Sequence, residues 1–80
     1  MPIRVTLYAM ISDHKLAAKI TWARLEAGYT QRELAKAMQT SQAVIARWET
    51  GKRVPSVTTL DRLAEVTGLR LEVQLVRRPS

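Results

Sequence analysis

The sequence predicts a mainly α fold, four short helices followed by one C-terminal β-strand. Three observations carry that expectation. Gly28, Gly51 and Gly68 each stand just past a stretch whose apolar residues recur at helical spacing, where a left-handed C-cap belongs. Small polar residues of the kind that cap helix starts precede the helical stretches. Finally, "LRLEVQLV" at residues 69–76 alternates apolar and polar side chains with a period of two, a strand pattern.

The elements follow in order. A first helix is expected at about 13–27, "DHKLAAKITWARLEA", capped by Ser12 or Asp13. The second, at about 31–38, opens with a capping box in which Thr30 is the N-cap and Glu33 reaches back to it. Ser41 caps a third helix at about 42–50, and Ser56, after Pro55, caps a fourth at about 57–67. In the strand, Leu69, Leu71, Val73 and Leu75 share one face against Arg70, Glu72 and Gln74. Ile3, Val5 and Leu7 alternate more weakly near the N-terminus and can form another strand. A lone strand leaves backbone groups unpaired. It must therefore pair with the N-terminal segment or with the same strand of a second molecule. The second arrangement, a sheet across a two-fold axis, is the preferred expectation, with Leu69, Leu71, Val73 and Leu75 as dimerisation residues. The chain thus divides into an N-terminal arm (1–11), a helical domain (12–68) and a dimerisation strand with its tail (69–80).

Composition narrows the function. Eighty residues suit a single domain, and 46% hydrophobic residues suffice for a core. Thirteen Lys and Arg against seven Asp and Glu give a formal charge of +6, which favours polyanionic partners such as nucleic acid. There is no cysteine, and the single histidine, His14, has no companion for a metal set. Asp13, Glu26, Glu33, Asp61, Glu65 and Glu72 fall on helix starts or solvent faces, so no shielded acid–base pair is expected. The expectation is a protein without catalysis, cofactor, metal or small-molecule substrate. No apolar run reaches the roughly 18 residues of a membrane span, and the N-terminus lacks a signal-peptide cleavage pattern. A cytoplasmic, nucleoid-associated location without a membrane partner is expected.

The second and third helices are separated only by Gln39-Thr40-Ser41, a helix-turn-helix spacing, with Ala35 as the small residue that allows a close crossing. Leu34, Met38, Ile45 and Trp48 are expected beneath that crossing. The outer face of the third helix explains the rest. Ala43 and Ala46 keep its surface low, and Gln42 and Arg47 flank them. A DNA major groove, about 12 Å wide, admits one such helix. There Gln42 can bond adenine N6 and N7, and Arg47 can bond guanine O6 and N7 or a phosphate. Trp22, off the apolar line of the first helix, is expected at the core edge or in a protein contact.

These pieces resemble the Xre family, the Cro- and lambda-repressor-like helix-turn-helix domains. "TQRELA" is similar to that family's second helix, "SQAVIARWETGKRVPS" to its recognition helix and following loop, and "TLDRLAEVTGL" to its fourth helix. The resemblance implies that Gln42, Ala43, Ala46 and Arg47 face base edges. It implies that Gln31, Thr40, Ser41, Lys52, Arg53 and Arg24 lie by phosphates, with Gln31 also buttressing Gln42. Arg24 and Glu49 match positions that form a structural ion pair. Relatives usually carry glycine where this chain has Gln39. The capped first helix and terminal strand further resemble HipB- and HigA-type antitoxins. The implied function is a sequence-specific double-stranded DNA-binding repressor, homodimeric on a palindromic operator and acting as the autoregulating antitoxin of a toxin–antitoxin operon. A stand-alone or phage-type repressor, or a protein-bridging module, is the alternative.

Overall fold

The computed structural model describes residues 3–8 and 13–74. In chain order these form β1 (Ile3–Tyr8), α1 (Asp13–Glu26), α2 (Gln31–Ala37), α3 (Gln42–Glu49), α4 (Val57–Thr67) and β2 (Leu69–Gln74). Ser12, Leu75 and the 75–80 tail lie outside the described residues, so the cap and the dimerisation contact assigned to them do too.

Local chemistry sets the helix limits. The Thr30 hydroxyl accepts from the Glu33 amide at 3.0 Å, and the Glu33 carboxylate accepts from the Thr30 amide at 2.9 Å. That carboxyl is held below the usual carboxylate range, first by the Thr30 backbone bond and then by the Thr30 side chain. Ser41 and Ser56 cap α3 and α4 by accepting from Val44 and Thr59. Gly68 closes α4 at φ 74, a left-handed conformation that side chains with a Cβ disfavour.

All four helices contribute to one core. Leu16 and Ile20 of α1, Leu34 and Ala35 of α2, Ile45 and Trp48 of α3, and Leu60 and Leu63 of α4 are packed together, with Met38 after α2. Leu34 and Ile45 are completely excluded from solvent, each burial being worth roughly 1.5–3 kcal/mol. Trp48 is buried in this core, as expected, whereas Trp22 remains 38% exposed on α1.

The terminal strand has the other of its two expected partners, the N-terminal segment. Among the described residues β2 pairs with β1 of the same chain, in parallel, from Ile3 opposite Leu69 to Tyr8 opposite Gln74. Pairing within one chain requires only loop closure, without the translational and rotational loss of bringing in a second molecule. Leu71 packs against the helical core, and Leu69 joins it in lining the crevice between α1 and α4. β2 thus closes the side of the helical unit bounded by α1 and α4.

Candidate nucleic-acid interface

The site is built from α2, its turn and α3. After α2 the chain reverses through Gln39, whose φ of 57 makes it the one non-glycine residue in the left-handed region among the described residues. Thr40 then donates its amide to the Ala35 carbonyl at 2.9 Å. The turn therefore has a left-handed geometry that glycine adopts most readily, carried here by a glutamine at a cost of about 1 kcal/mol. Part of the offset is visible: Arg62 of α4 donates to the Gln39 side-chain oxygen at 3.2 Å.

The burial pattern divides α3 lengthwise. Ile45 and Trp48 point into the core, and Val44 is half-buried. Gln42, Ala43, Arg47 and Thr50 are exposed, while Ala46 is half-buried between the two sides. Neither the Gln42 amide nor the Arg47 guanidinium bonds to another described side chain or carbonyl. These are long polar groups on a low alanine surface, free to engage a groove. Lys52 and Arg53 are exposed in the loop that leaves α3, where their amides donate to the Arg47 carbonyl at 3.0 and 3.2 Å. Ser41 is exposed and Thr40 half-buried at the opposite end of the helix. Hydroxyl groups thus flank one end of the exposed helix face and cationic groups the other.

Behind this face lies a polar clamp. Arg24 of α1 donates through Nε to Glu49 Oε2 at 2.7 Å and through Nη2 to Glu49 Oε1 at 3.0 Å. Its Nη1 donates to the Tyr29 carbonyl at 2.9 Å. The two side chains are only 13% and 6% exposed. The Glu49 hydrogen bond raises the Arg24 pKa, burial opposes it, and the carboxylate charge adds to the rise. Arginine thus remains a fixed cation, and the forked geometry locks the end of α3 to α1. Three of the five guanidinium N–H groups are engaged inside the chain, leaving two for any phosphate.

Gln31 is placed differently from the role implied for it. Its amide donates to Glu49 at a long 3.5 Å rather than to Gln42, so it joins the clamp instead of buttressing the outer face. Two residues of this region were not anticipated. Thr21 shares its single hydroxyl proton between Glu49 Oε1 at 3.0 Å and the Ala17 carbonyl at 3.2 Å. It lies one helical turn before Arg24, a spacing that places both on one face. Arg62 lies 23 residues from Gln39, and no local pattern signals that contact.

Among the described residues, no group of acidic, histidine or cysteine side chains is arranged to hold a metal, and no helix is long and apolar enough to cross a membrane.

Known proteins agree with this geometry. The helix-turn-helix family HTH_3 matches residues 20–74. The ImmF control region 10 kDa protein of Bacillus phage phi105 is 38% identical over 64 residues, spanning 80% of this chain and 71% of its relative. The clp gene regulator ClgR of Corynebacterium glutamicum superposes with a TM-score of 0.68 at 28% identity, over 72% of this chain and 74% of ClgR in one crystal structure. A chain from the HipA–HipB–O2–O3 complex matches 89% of this chain and 94% of its own length, with a TM-score of 0.59 and 25% identity. An exposed helix face presented by a helix-turn-helix, and a family match across most of the chain, lead to one assignment: the chain belongs to the Xre-type helix-turn-helix family of DNA-binding transcription regulators.

Proposed function

We propose that the protein is a sequence-specific repressor that binds a palindromic operator as a homodimer and controls its own gene. The observation that carries this reading is the outer face of α3, where Gln42 and Arg47 project without side-chain partners among the described residues, beside Ala43 and Ala46. In this reading Gln42 and Arg47 read base edges, and the two alanines let the backbone approach. Gln31, Thr40, Ser41, Lys52, Arg53 and the free N–H groups of Arg24 hold phosphates. Two recognition helices about 34 Å apart enter successive major grooves. The second molecule docks on the edge of β2 that faces away from β1, which no described strand covers. In this reading β2 joins the dimer through its backbone edge, while Leu69 and Leu71 stay packed against the helices.

The test is binding to the duplex immediately upstream of the protein's own coding sequence, against a shuffled duplex, by fluorescence anisotropy at about 150 mM salt. A preference of about 10³ or more, saturating at two chains per site, is expected. Equal weak binding to both contradicts the reading.

A second reading, the antitoxin, is favoured by the match to a chain of the HipA–HipB–O2–O3 complex. The relative from a phage control region, at higher identity, favours the stand-alone or phage-type regulator. Deleting the gene separates them. Toxicity from a neighbouring gene on deletion supports an antitoxin, and an unharmed cell with a derepressed promoter supports a stand-alone repressor.

A further inference from the structure

We infer that Arg62, on α4, is an additional phosphate-binding residue that holds the operator backbone in a cleft beside the recognition helix. The cleft, of about 410 Å³, lies between the α2–α3 turn, the loop after α3 and the first turns of α4. Thr40, Arg53, Thr59 and Arg62 line it, with Val44 and Trp48 of α3 forming its inner wall. Two features point to an anion. Both guanidinium groups are exposed, and neither is paired with a carboxylate among the described residues. Arg62 is also not loose, because Nη2 donates to the Gln39 side-chain oxygen at 3.2 Å.

A neutral amide orients a guanidinium without cancelling its charge, so the group is pre-positioned for an anion. The same contact gives Gln39 a role that glycine cannot fill: its side chain ties α4 to the turn that introduces α3. A phosphodiester suits this lining better than a base edge. Two forked cations and three hydroxyls, those of Thr40, Ser56 and Thr59, stand among apolar side chains and present donors suited to anionic oxygens, with no carboxylate to accept from a base amine. Thr40 and Arg53 connect the cleft to the proposed phosphate contacts at either end of α3.

The inference rests on the DNA-binding reading, and the experiment keeps the two apart. Affinity for the upstream duplex is measured between 50 and 200 mM salt for the wild-type chain, Arg62→Ala and Arg62→Lys, with thermal melting confirming that each is folded. Each neutralised phosphate contributes about 0.9 to the slope of log affinity against log salt. Arg62→Ala is expected to reduce the slope by about that amount, while Arg62→Lys retains it. A slope unchanged in Arg62→Ala, whatever the affinity, overturns the inference and leaves Arg62 a brace for the turn. A slope that falls equally in Arg62→Lys also overturns it, since charge is then not what is being read. Inorganic phosphate added without DNA is expected to leave the Tm gap between wild type and Arg62→Ala unchanged. A wild-type-specific rise in Tm together with an unchanged DNA salt slope assigns the cleft to free phosphate and overturns the operator contact. Wild-type binding that fails to respond to salt removes the DNA-binding reading itself.

Discussion

The two faces of α3 meet opposite requirements within eight residues. On the inner side, Ile45 and Trp48 are packed in the core, and the Glu49 carboxylate receives bonds from Arg24, Thr21 and Gln31. On the outer side, the Gln42 and Arg47 side chains have no partner among the described residues. Buried polar groups left unpaired are costly, so the inner face is saturated. An exposed polar face left unpaired costs little, and it keeps its hydrogen-bonding capacity for another molecule. The comparison teaches that orientation is fixed from behind: a rigid inner face sets where the outer side chains stand.

If that division holds, inner-face changes lower stability and binding together, whereas outer-face changes alter binding alone. Ile45→Ala is expected to cause the largest loss, about 2–5 kcal/mol, because it empties a fully buried site. Thermal denaturation reads this as a fall of about 4–8 °C in Tm for each kcal/mol. A Tm within a degree or two of wild type breaks the comparison at its base. Glu49→Gln leaves Arg24 with one neutral acceptor where it had a forked anion. A loss of about 2–3 kcal/mol is expected in chemical denaturation, with operator affinity falling as α3 loses its anchor. Full stability in this variant would mean that the clamp contributes only geometry.

Smaller effects sharpen the picture at the ends of α2. Gln39→Gly relieves the left-handed strain and is expected to raise stability by up to about 1 kcal/mol, measured by urea denaturation. A destabilised variant would show that the Gln39–Arg62 contact outweighs the strain. The smallest effect concerns pH. Glu33 has a folded pKa below its ordinary value, so its contribution is present above the unfolded carboxylate range and disappears as pH falls through the folded value. The Tm gap between wild type and Glu33→Gln is therefore expected near pH 6 and absent near pH 2. A gap independent of pH would mean that the charge of Glu33 is irrelevant to the cap.

Much of this architecture was legible because its signals are local. The Thr30–Glu33 capping box, the serine caps at 41 and 56, and Gly68 each act within a few residues, and the helices begin and end where those residues require. The outer face of α3 was legible through periodicity, since one helix can bury only one side. Long-range partners were not. The period of two in residues 69–74 defines a strand but not its neighbour, and the chain's own residues 3–8 supply one edge. Arg62 and Gln39 meet across 23 residues, and the preference of Gln31 for Glu49 over Gln42 depends on how α1, α2 and α3 cross. Such contacts are settled by packing, which no single stretch encodes.

The most direct test of the account measures Arg47→Ala and Lys52→Ala against a panel of operator duplexes, each carrying one base-pair change. Arg47→Ala is expected to melt like wild type, lose about 1–3 kcal/mol on the intact operator and cease to discriminate at one position. Lys52→Ala is expected to weaken every duplex by a similar factor while keeping the full pattern of discrimination. Uniform losses from both variants, with no position relaxed by Arg47→Ala, would contradict the claim that the outer face of α3 reads sequence.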